Sequence, residues 1–91
     1  MSREQIELLD LDIDSLLSFF IGITSTKALQ YLGIPLKEGE EPEKDLDKAR
    51  LSIDTTILLM EKLEPYMEEE EKVQLKQVIS NLQFTFLRES N

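Results

Sequence analysis

An all-α fold is what this chain of 91 residues predicts, as a three-helix bundle built on an antiparallel helical hairpin and completed as a dimer. Three observations predict it. Apolar residues recur every three or four positions along three long stretches, which is the period of one helix face. Gly33-Ile34-Pro35 and Glu64-Pro65 fall between those stretches and break them. The stretches also carry more apolar side chains than their main faces use. A single helical domain over residues 1–91 is expected, with helices at about 13–32, 43–63 and 68–88 and a linker at 33–42.

The expected middle helix organises the rest. Leu46, Ala49, Ile53, Ile57, Met60 and Leu63 form its main face, while Leu51 and Leu58 lie on roughly the opposite side. A helix with apolar groups on two sides calls for two neighbours. Pro42 and the acids Glu43, Asp45 and Asp47 suit its N-terminus. Arg50 and Asp54 are four residues apart and can pair on its surface.

Residues 1–10 are polar, with Ile6, Leu8 and Leu9 as anchors, and predict a frayed start or a short extra turn. Asp10, Asp12 and Asp14 are all candidates to cap the first long helix, and all suit the positive end of its dipole. Along that helix Leu16, Leu17, Phe19, Phe20, Ile21, Ile23, Ala28, Tyr31 and Leu32 cover well over half the circumference. That breadth implies burial on more than one side. Across from it, Ser15, Ser18, Gly22, Ser25 and Thr26 form a stripe of small residues. The stripe either admits another backbone closely or is simply a solvated face. Lys27 falls within the apolar arc and is expected to snorkel. Gly33 fits the position after the helix end, and Pro35 forbids continuation.

The short connection around Glu64-Pro65-Tyr66-Met67 places the second and third helices side by side and antiparallel. Glu68 to Glu71 crowd the start of the last helix. Leu75, Val78, Ile79, Leu82 and Phe86 make its main face, with Val73, Phe84 and Leu87 on another side.

Composition narrows the function. The net charge is −9, and Lys44, Lys48 and Arg50 are interleaved with acids, so no basic face survives for nucleic acid. The longest strongly apolar run, Leu16 to Ile23, has 8 residues. A membrane-spanning helix needs about 20. The acidic start after Met1-Ser2-Arg3 lacks the features of a signal peptide, and a cytoplasmic protein is expected. Cys, His and Trp are absent. Disulfides and thiolate metal sites are excluded, and the commonest general base is missing. No cofactor is expected, since no Gly-rich phosphate loop is present and no Ser, Thr or Lys has an activating base beside it in sequence.

Y-L-G-I-P at Tyr31 to Pro35, followed by D-L-D-K-A-R-L-S-I-D at Asp45 to Asp54, resembles the core pattern of a small bacterial family, domain of unknown function 1844. Glu70-Glu71, Leu75, Leu82 and Phe86 match its continuation, so the resemblance runs from about Leu16 to Arg88. The chain departs from it at Glu64-Pro65-Tyr66-Met67 and near Gln83. The resemblance implies a compact helical protein with no assigned activity, and it supplies no catalytic residues.

The surplus apolar positions carry the functional expectation. Ser18, Phe19, Gly22 and Ile23 on the first helix, Leu51 and Leu58 on the second, and Val73, Phe84 and Leu87 on the third form the expected association surface. Such groups left open make sticky patches uncommon on monomers. A non-enzymatic protein-interaction module follows, most simply a homodimer, although another protein could cover the same positions. Asp54 is a candidate polar contact, or a carboxylate paired with Arg50 or capping a neighbouring helix. The alternative from another class is a small magnesium-dependent phosphate-ester or nucleotide hydrolase using Asp54 and the Glu61, Glu64, Glu68, Glu71 run.

Overall fold

The computed structural model describes residues 1–91 and is all-helical, with no strand. Its helices are α1 (Arg3–Leu9), α2 (Ile13–Tyr31), α3 (Leu46–Leu63) and α4 (Glu69–Glu89), and a 3-10 turn over Glu64–Tyr66 joins the last two. Of the two expectations for this stretch, a frayed start or a short extra turn, the second is nearer: α1 forms from local bonds alone. The Gln5 N–H donates to Ser2 Oγ at 3.2 Å and the Ser2 N–H donates to Gln5 Oε1 at 2.9 Å. This reciprocal cap satisfies two otherwise orphaned donors. No residue of α1 is buried.

Asp12 occupies the cap position of α2, extended at φ −66° and ψ 160°, and Asp14 sits in the first turn. The other end is closed by backbone geometry. Gly33 has φ +85°, its N–H donates to Gln30 O, and the Ile34 N–H donates to Leu29 O, both at 3.0 Å. This pair of bonds is the Schellman arrangement, which glycine permits at no steric cost. Ile34 and Leu29, the two residues it couples, both pack on the core.

The linker is longer than expected, and α3 begins at Leu46 rather than at about residue 43. The reason lies at Asp45. Its N–H donates to Tyr31 O at 2.8 Å, holding it extended against the end of α2, while its carboxylate accepts from the Lys48 N–H at 3.1 Å. A residue tied in this way is the cap, and Pro42 lies outside the helix. At α4, Glu69, Glu70 and Glu71 fill the first turn, where the helix dipole favours them. Lys76 Nζ lies 3.7 Å from Glu64, an exposed pair across the connection. Such pairs contribute at most about 1 kcal/mol. Arg50 and Asp54 do not pair: neither appears in any of the chain's 4 ion pairs.

Buried side chains form two clusters. Ala28, Leu32, Ala49, Ile53 and Leu82 make one, and Ile21, Met60, Leu63 and Ile79 make the other. Residue numbers rise from one cluster to the other along α3 and fall along α2 and α4, so α3 runs antiparallel to both. The short connection was expected to set α3 and α4 side by side and antiparallel. It does, but α2 packs on α3 far more extensively, although the longer connection joins them. Side-chain size explains the preference. Ala28 and Ala49 are both 0% exposed, and Thr24 and Thr56 meet beside them, so these two backbones approach closely. Ile53, Met60, Ile79 and Leu82 hold α4 further out.

Thr56 is the one buried polar residue. Its hydroxyl donates to Ser52 O at 2.8 Å and, at 2.7 Å, accepts from the Thr24 hydroxyl. The chain of bonds leaves no buried side-chain polar atom unsatisfied. Thr56→Val keeps the shape and removes the relay, while Thr24 can turn back to Ile21 O, 3.3 Å away. We therefore expect a loss of about 1 kcal/mol in urea unfolding. A loss several times larger would show that the hydroxyl pair holds α2 and α3 together in a way packing does not.

Candidate functional site

Only 10 of the 91 residues are buried, and many large apolar side chains stay open. On α2, Ser18, Phe19, Gly22 and Ile23 line one shallow groove together with Thr26 and Lys27. The groove faces away from α3 and α4. A Cβ placed on Gly22 would meet nothing within 4 Å, while Ser18, Gly22 and Ser25 also border a second cleft, with Leu63, Leu75 and Val78 across it.

The other expected positions do not gather at this groove. Leu51 lines a cleft between α2 and α3 with Thr24, Lys27, Tyr31, Lys48 and Thr55. That cleft adjoins the α2 groove through Lys27, which lines both. Leu58, Val73 and Phe84 are 55%, 65% and 67% exposed and point away from the core. Leu87 lines a third groove, between α3 and α4, with Asp54, Arg50, Gln83, Ile53 and Phe86. Sequence periodicity found which residues lie off the core, and the fold distributes them over three outward faces.

Asp54 lies on the rim of that third groove, opposite Gln83. None of Glu61, Glu64, Glu68 or Glu71 lines it, so the carboxylates of the hydrolase alternative are not brought together. No group of three Asp or Glu side chains converges as a metal site would require.

A feature not foreseen from sequence stands at the end of α2. Lys27 Nζ lies 5.3 Å and Lys48 Nζ 5.9 Å from the centre of the Tyr31 ring. Both distances suit cation–π attraction. Lys27 was expected to snorkel, and its stem does run along the helix to an aromatic face. Lys48 arrives from the first turn of α3, and only the register of α3 on α2 brings it there. The result is a small basic, aromatic spot on a chain of net charge −9.

A family model described as a domain of unknown function (DUF1844) matches residues 15–88. The chain belongs to this family. No curated protein and no solved structure matches it. The DUF1844 segment takes in α3 and nearly all of α2 and α4, while α1 lies before it. Every exposed position singled out above, from Ser18 to Leu87, lies within the DUF1844 segment. The motif residues have clear local roles. Gly33 and Pro35 stop α2, Asp45 caps α3, and Ala49 and Ile53 enter the core. Asp54, like Asp47 and Arg50 of the same motif, has no side-chain partner in the chain's hydrogen bonds or ion pairs, and it faces solvent at the groove. No helix is long and apolar enough to cross a membrane.

Proposed function

We propose that this domain is a non-enzymatic, cytoplasmic protein-interaction module that self-associates as a two-fold dimer. Its three long helices then form a bundle whose outer apolar faces are covered by a second copy. The observation that carries the reading is α2. The apolar side chains of this helix cover well over half its circumference and it has no charged residue between Asp14 and Lys27, yet only Ile21 and Ala28 of its 19 residues are buried. A helix of that kind belongs in an interior. Covering one such side chain is worth roughly 1.5 to 3 kcal/mol, so several together can offset the cost of association. The acidic remainder of the surface supports solubility and selection of partner.

Thermal unfolding tests the reading. Association stabilises only the folded chain, so Tm rises with protein concentration. A Tm that stays constant across the micromolar range contradicts self-association.

A further inference from the structure

We infer that the two copies meet through α2, packed antiparallel about a two-fold axis that passes beside Gly22. This rests on the self-association proposed above and names its surface. The outward face of α2 presents Ser15, Phe19, Gly22, Ile23 and Thr26 without a single charge, in a chain where 32% of residues are charged. Phe19 and Ile23 are 43% and 45% exposed there. Charge is confined to the two ends of the face. Asp10 and Asp12 stand at its start, with Asp14 on the side of the buried Ile21, and Lys27 stands at its finish, with Lys48 of α3 beside it on the Tyr31 ring. None of these five groups belongs to an ion pair within the chain.

That distribution selects one occupant and one direction. Residue 22 is the midpoint of α2 (Ile13–Tyr31). A two-fold axis there sets Ser18 of one copy opposite Thr26 of the other, and Tyr31 opposite Ile13. Asp12 of each copy then lies toward Lys27 of its partner at both ends. A parallel arrangement would place like charges together, which costs stability. Nothing of the same chain stands within 4 Å of a Cβ at Gly22, so the axis position is open to the second backbone. The contact is isologous, with the same patch used twice, as a closed dimer requires.

The chain has no cysteine, so disulfide trapping is clean. Ser18→Cys and Thr26→Cys chains, mixed and oxidised, are expected to form the mixed disulfide in preference to either like pair. Val73→Cys, on the far side, is expected to stay uncrosslinked. The Lys27→Glu, Lys48→Glu double variant is expected to associate with itself roughly tenfold more weakly at low salt, and less so as salt rises. Mixing it with an Asp12→Lys chain is expected to restore part of the association. A preference for Ser18→Cys like pairs would overturn the antiparallel direction. Efficient crosslinking through Val73→Cys with none at Ser18 and Thr26 would overturn the α2 interface while leaving self-association standing. A wild type that stays monomeric removes both.

Discussion

Leu32→Ala should lower the unfolding free energy by about 2 to 5 kcal/mol, the range for deleting a fully buried leucine. Leu32 is 0% exposed and joins Ala28, Ala49, Ile53 and Leu82 in one cluster. Two of those neighbours are alanines too short to fill the space, and the backbone just beyond is fixed by the bonds at Gly33 and Ile34. The site therefore cannot collapse, and the cost belongs toward the upper part of the range. Domains of this size have roughly 5 to 15 kcal/mol in total, so the variant should be markedly less stable. Urea unfolding measures it. A loss below about 1 kcal/mol would mean that α2 and α3 do not meet as described.

The second large effect concerns association. The double variant Phe19→Glu, Ile23→Glu adds two charges to each copy on a face that has none. Neither residue is buried in the subunit, so helix content and the Leu32 cluster should be unchanged. In a dimer closed through α2, four carboxylates would be brought together, with only Lys27 of each copy in the same groove to offset them. Loss of a central apolar anchor alone often costs 2 kcal/mol or more. We expect the dissociation constant to rise roughly 100-fold or more. Sedimentation velocity reads this directly, and a variant that dimerises as tightly as wild type would place the contact elsewhere.

Much of this fold was legible because its signals are local and periodic. The C-terminal end of α2 follows from Gly33, its start stays open in the sequence among Asp10, Asp12 and Asp14, and the buried set Ala49, Ile53, Met60 and Leu63 follows the three-and-four spacing. The start of α3 was misplaced because Pro42 and Glu43 look like a helix opening. The deciding bond, from the Asp45 N–H to Tyr31 O, joins residues 14 apart in sequence. The dominance of the α2 and α3 pair was also hidden. It depends on Ala28 meeting Ala49 and on Thr24 meeting Thr56, and no spacing within one helix reveals which small residues face each other. Lys48 reaches the Tyr31 ring for the same long-range reason. Exposure of Leu51, Leu58, Val73, Phe84 and Leu87 follows from their place off the main faces. Their division among separate surfaces needed the packed helices.

Sedimentation equilibrium of the wild-type chain from low to high micromolar concentration is the most direct test of whether this surface is covered by a second copy. Self-association predicts a mass approaching twice the 10.6 kDa of one subunit as concentration rises. A mass that remains at that of one subunit throughout would contradict it.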